Sequence, residues 1–136
     1  NCRFGDPETQ VLLPRLSTDL VDIVYNTVTN NLENTSIHLI DNTAITVVIA
    51  SNGYPGTFKK GIELPSLNKF DKQDDILIFH SGTAKNENEN FISSGGRVLS
   101  VTAIGDNVQD CRQKAYKAVE KISWDKGFYR KDIGKI

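Results

Sequence analysis

In the stretch NCRFGDPETQ, Asn1, Arg3, Asp6 and Glu8 set an amide, a guanidinium and two carboxylates around Gly5 and Pro7. An asparagine amide oxygen is a hard donor suited to Mg2+. In extended backbone Arg3 points to the same side as Asn1, because side chains alternate along a strand. One strand would then present a metal ligand together with a guanidinium fit for phosphate. The turn Gly5-Asp6-Pro7-Glu8 places two carboxylates at the end of that strand. A plainer reading is a strand–turn–helix junction, with Asp6 capping a helix that Pro7 begins. The residue types by themselves leave both open.

Gly95-Gly96-Arg97 is a second candidate. Glycine-rich backbone can approach a ligand phosphate closely, but a bend in a sheet followed by a surface arginine fits the same residues. NGYPG at residues 52–56 is explained by a tight turn. The two cysteines, Cys2 and Cys111, form no CxxC pair, and His38 and His80 are the only histidines. A zinc site wants more closely spaced ligand pairs. Two reduced thiols in a cytoplasmic protein are therefore expected. The NTS at Asn34 matches a glycosylation acceptor, which has meaning only in a secreted chain.

These groups must be held by a fold that 136 residues can build. With 38% hydrophobic and 24% charged residues the chain is of globular composition. A net charge of −1 argues against a nucleic-acid partner, which would need a concentrated basic face. Apolar runs such as AITVVIA are far shorter than the roughly 20 residues of a membrane span. Methionine is absent throughout. An intact translation product would start with one, so the expectation is the C-terminal part of a longer polypeptide; removal of a leader would leave the same trace.

Residues 7–31 read as helix, break, helix. Pro14 makes the break, Ser17 or Thr18 caps the second helix with Asp19 in its first turn, and Leu20, Ile23, Val24 and Val28 form a stripe that packs on one face. Residues 32–43 read as a linker. Beyond them the texture becomes extended: AITVVIAS, DILIFHSGT and ISSGGRVLSVTAIGD read as strands, with KNENENF as a hairpin loop and Gly95-Gly96 as a bend. Asp106, with Gln109 three residues on, predicts the start of a long helix whose buried stripe is Val108, Cys111, Ala115, Tyr116, Val119 and Ile122. The second unit is α+β: a small antiparallel sheet or half-barrel with one long helix laid on it. No internal repeat is present.

NCRFGDPETQ resembles the signature of the phosphoribosylamine–glycine ligase family, also called glycinamide ribonucleotide synthetase, whose core motif is R-F-G-D-P-E. The likeness continues in order through STDLVDIV, VVIASNGYPG, FHSGTA, SGGRVLSVTAIGD, RQKAYKAVEKI and FYRKDIG, nearly the whole chain. Departures are local: Ser81 stands where the family often has alanine before the glycine, and the stretch around KKGIELP is shortened. The resemblance implies the helical tail of an ATP-grasp domain in residues 1–31, a linker in 32–43 and the family's C-terminal domain in 44–136.

It further implies an enzyme of purine biosynthesis that phosphorylates glycine with ATP and lets 5-phosphoribosylamine displace the phosphate. Mg2+ or Mn2+ would be the cofactor, the missing N-terminal part of the same enzyme the partner, and the oligomeric state a monomer. Asn1 matches the family's metal-binding asparagine, which acts with a glutamate two residues before it. Arg3 matches the arginine that steadies the transferred phosphate. Asp6 and Glu8 fall in the loop facing the acceptor, and Gly95, Gly96 and Arg97 are weaker substrate-binding candidates. Another ATP-grasp carboxylate–amine ligase or carboxylase is the nearest alternative. A non-catalytic interaction domain is the other.

Overall fold

The computed structural model describes residues 2–135. A four-residue helix α1 (Thr9–Leu12) runs into a 3-10 turn at Leu13–Arg15, and α2 (Leu20–Val28) follows. Strands β1 (Thr43–Ser51), β2 (Ile76–His80), β3 (Thr83–Lys85), β4 (Phe91–Ser93) and β5 (Arg97–Gly105) come next. Helix α3 (Val108–Ile122) and a two-residue strand β6 (Gly127–Phe128) complete the order. The main sheet is antiparallel with strand order β2-β5-β1-β6, and β3 pairs with β4 in a separate hairpin. The expected α+β architecture, with antiparallel sheets and one long helix, is present.

The sequences TAITVVIAS and RVLSVTAIG place β1 and β5 at the centre because β-branched side chains suit a pleated surface covered on both sides. Antiparallel register puts Ile45 opposite Ala103, Val47 opposite Val101 and Ile49 opposite Leu99, so these six share a face. They form the core with Cys111, Ala115, Ala118, Val119 and Ile122 of α3. The other face pairs Thr46 with Thr102 and Val48 with Ser100. It receives α1: the buried Thr102 hydroxyl donates to the Gln10 carbonyl at 3.0 Å and lies 2.9 Å from the Thr46 hydroxyl.

The register slips once. Ile49 faces Leu99 but Ala50 faces Arg97, which leaves Val98 unpaired as a β-bulge. Since side chains alternate, the extra residue moves Arg97 off the core face of Leu99 and onto the face of Thr102.

Several expectations need correction. Asp19, not Ser17 or Thr18, caps α2, its carboxylate accepting from the Val21 amide at 2.7 Å. Ser17 and Thr18 are instead engaged by residues 36–38, through Ser17 N to the His38 carbonyl and the His38 amide to the Thr18 hydroxyl. Within residues 32–43, Leu32–Asn34 forms a 3-10 turn and the mostly exposed chain after it runs back beside residues 15–18, with a Leu16–Leu39 bridge. Asn107, not Asp106, caps α3 by accepting from the Asp110 amide at 2.9 Å. Asp106 instead donates its own amide to the Asp110 carboxylate.

The α2 stripe is not buried. No α2 residue is fully buried: of that stripe Leu20 and Ile23 are half-buried, while Val24 and Val28 are 53% and 72% exposed. The periodicity marks an amphipathic helix, but among the described residues its stripe is covered only in part.

Cys2 is exposed, Cys111 is buried and both are free. Burial pushes the Cys111 thiol above its usual range and the Asp110 carboxylate adds to it, while its sulfur donates to the Thr43 carbonyl at 3.1 Å. A thiol reagent at neutral pH should therefore modify one cysteine in the folded chain and both after unfolding. Prompt reaction of both in the folded state would contradict the packing of α3.

Candidate functional site

The R-F-G-D-P-E stretch spans Arg3 to Glu8 and forms no strand in this structure; it is a turn that leads into α1. The expected strand carrying Asn1 and Arg3 on one face is therefore absent from residues 2–8, and Asn1 itself lies outside the described residues.

Arg3 is exposed, and its guanidinium donates at 3.0 Å to the carbonyl of Phe4, its own neighbour. It has no ion pair among the described residues. The Gly5 carbonyl accepts from the Thr9 amide at 3.0 Å and from the Thr9 hydroxyl. A Cβ at Gly5 would strike the Glu8 carboxylate, which folds back over it. Glu8 occupies the cap position of α1, yet its side chain makes no cap hydrogen bond.

Asp6 is the most heavily tied residue of the turn. One carboxylate oxygen accepts from the Gln10 side-chain amide at 3.0 Å, and the other lies 3.3 Å from the Arg97 guanidinium. A second Arg97 nitrogen donates to the Asp6 backbone carbonyl at 2.7 Å. The two stretches singled out in the sequence, residues 3–8 and 95–97, are thereby brought together across the whole length of the chain. Nothing in their spacing announced it. Gln10 and Thr102, which complete the attachment, were missed, although threonine and serine at alternate positions of SVTAIG did mark a polar sheet face.

Gly95 and Gly96 have a packing role. A Cβ on Gly96 would run into the Tyr54 ring, and one on Gly82 would sit 2.6 Å from the Gly95 Cα and from the Arg97 carbonyl oxygen. Gly82 also donates to that carbonyl at 2.8 Å, while its own carbonyl accepts from Ser94 and Gly95. Two loops that close on each other this tightly fix the backbone from which Arg97 departs.

His80 leans on Phe91 with ring centroids 4.2 Å apart and sits 2.9 Å from the Thr83 hydroxyl. Partial burial lowers its pKa. Among the described residues no group of three or more His, Cys, Asp and Glu is arranged to hold a metal ion. A cleft of about 420 Å3 beside Phe70, Asp74 and His80, and another of about 370 Å3 beside Arg112 and Lys135, do not include the turn. No helix among the described residues is long and apolar enough to cross a membrane.

Residues 44–136 match the family model described as phosphoribosylglycinamide synthetase, C domain. The chain is 44% identical over 134 residues to phosphoribosylamine–glycine ligase of Brucella melitensis, covering 98% of this chain and 31% of that protein. It is 42% identical to the chloroplastic phosphoribosylamine–glycine ligase of Arabidopsis thaliana, covering 98% of this chain and 25% of that one. A crystal structure of phosphoribosylamine–glycine ligase from Thermotoga maritima superposes with a TM-score of 0.72 at 30% identity, over 97% of this chain and 32% of the other. The chain thus spans a third or less of the length of these relatives.

Proposed function

Because the chain belongs to the phosphoribosylglycinamide synthetase family through its C domain, we propose that it is the C-terminal part of a ligase that joins glycine to 5-phosphoribosylamine at the expense of ATP. In that reaction a glycine carboxylate oxygen attacks the γ-phosphorus and ADP leaves. The amine of phosphoribosylamine then attacks the carbonyl carbon of glycyl phosphate. Inorganic phosphate departs, the nitrogen loses a proton, and glycinamide ribonucleotide remains.

The observation that carries this reading is the stretch from Arg3 to Glu8: Asp6 is clamped to the sheet, while among the described residues the Arg3 guanidinium bonds to its neighbour's carbonyl and to no acid. An exposed guanidinium just ahead of a clamped turn suits a phosphoryl group whose charge must be met during transfer. Asp6 and Glu8 are the proposed orienting carboxylates for the amine-bearing substrates. A divalent metal, Mg2+ or Mn2+, would neutralise phosphate charge; its proposed ligands are Asn1 and a glutamate in the remainder of the ligase.

The uncovered α2 face supports the same picture. Val21, Val24, Tyr25 and Val28 of α2 are all exposed large apolar residues. An apolar area of this kind on one side of a domain marks a surface meant to be covered. Residues 1–31 are accordingly proposed as the C-terminal end of an ATP-grasp domain whose body lies in the remaining polypeptide. Glycine, phosphoribosylamine and ATP are the test substrates. The full-length protein should release ADP and glycinamide ribonucleotide, and the 136-residue chain alone should release neither. A full-length protein that makes no glycinamide ribonucleotide overturns the ligase reading; full turnover by the short chain overturns the fragment reading.

A further inference from the structure

We propose that Arg97 is a positioning residue, through which the C-domain sheet sets the catalytic turn. This rests on the ligase reading of Arg3 given above. Three observations carry it. The first is the clamp itself: Arg97 spends one nitrogen on the Asp6 carbonyl at 2.7 Å and another on the Asp6 carboxylate at 3.3 Å. A guanidinium that grips both backbone and side chain of one residue fixes its orientation as well as its place.

The second is the bulge at Val98, which turns Arg97 to the side of the sheet where the turn lies. In unbroken alternation Arg97 would share the face of Leu99 and point into the core beneath α3. Bulges re-aim side chains in this way. The third is a second tether from the same strand. Thr102, wholly buried, holds the Gln10 carbonyl, and the Gln10 side chain returns to Asp6 at 3.0 Å. β5 therefore fixes the turn and the helix that follows it at two separate points. Arg3, three residues before Asp6, inherits its placement from both.

A group that positions another affects turnover rather than substrate affinity, and its effect depends on the group it positions. In the full-length ligase, Arg97→Ala should lower kcat about tenfold, the size of loss that a modest misplacement of a catalytic group produces. KM for ATP, glycine and phosphoribosylamine should stay within about twofold. Arg97→Lys should restore part of the rate, since it keeps one donor and the charge but not the fork. Thr102→Val, which cuts the second tether at nearly constant volume, should show the same kcat-only signature.

The deciding measurement is the double variant. If Arg97 works through the turn that bears Arg3, adding Arg97→Ala to Arg3→Ala should cost little further rate. Melting temperatures of all variants are to be measured alongside, and the half-exposed Arg97 pair should contribute little to them. Additive losses, or a raised KM for phosphoribosylamine at constant kcat, would mean that Arg97 meets substrate directly and would overturn the proposal. An unchanged rate in Arg97→Ala overturns it as well. A wild-type protein without ligase activity is a different result, and it defeats the functional reading instead.

Discussion

Arg3→Ala in the full-length ligase should reduce kcat on the order of 10²-fold, about 3 kcal/mol, the usual cost of removing one preorganised charge-stabilising donor. The loss should appear in kcat more than in KM for glycine, because the guanidinium answers charge that develops during phosphoryl transfer. Arg3→Lys should regain only part, since an ammonium supplies charge without the planar pair of donors. The structure makes this a clean experiment. Arg3 is exposed and, among the described residues, bonds only to the adjoining Phe4 carbonyl, so its removal leaves no buried group among them unpaired. Stability should be unaffected. Steady-state kinetics and melting temperature, taken on the same preparations, separate the two roles. Normal kcat in Arg3→Ala ends the assignment, whatever the family likeness.

Leu99→Ala should have the largest effect on stability. Leu99 is fully buried in β5, facing Ile49 across the central strand pair and belonging to the core beneath α3. Truncating such a leucine removes transfer free energy and leaves a cavity that neighbours fill only in part, typically about 3 kcal/mol. For a chain of this size that corresponds to a fall in Tm of roughly 10 °C. Thermal unfolding of the 136-residue chain followed by circular dichroism measures it. Val28→Ala is the control: on the uncovered face of α2 it should leave the same transition nearly in place. A shift of less than about 2 °C in Leu99→Ala would mean that β5 is not the centre of the core.

Much of this architecture was legible in the sequence because its signals are local. The β-branched runs of β1 and β5 fix strands wherever both faces are covered. The stripe of α3 is confirmed through Cys111, Ala115, Val119 and Ile122, with Val108 and Tyr116 packed at its margin and Ala118 added. Cap positions were displaced by a residue or so, as at Asp19 and Asn107, because neighbouring Ser, Thr, Asp and Asn residues all offer a suitable oxygen and only the path of the chain chooses. The α2 stripe reads as a packed face, but the described residues cover only Leu20 and Ile23 in part and leave Val24 and Val28 exposed. Periodicity reports that a face is apolar, not what meets it.

The candidate site divides in the same way. Arg3, Asp6 and Glu8 were legible as a chemical cluster because they are adjacent in sequence. The joining of Asp6 to Arg97 was not, because it depends on sheet register, and register here depends on a single unpaired Val98. Counting alternate residues along RVLSVTAIG would send the guanidinium to the wrong side. A bulge leaves no trace in composition.

The pairing of β1 with β5 also constrains how the chain comes to be folded. β1 is completed early, but its central partner is made only after β2, β3 and β4 have been laid down. Until then an apolar strand with both edges open waits on a nascent chain, and contacts so distant in sequence form slowly because the intervening loop must first be closed. Its edges can pair with any other extended segment in the meantime. The vulnerable interval in the life of this protein therefore falls during synthesis, between the emergence of Thr43 and that of Gly105, and it is there that a chaperone has most to protect.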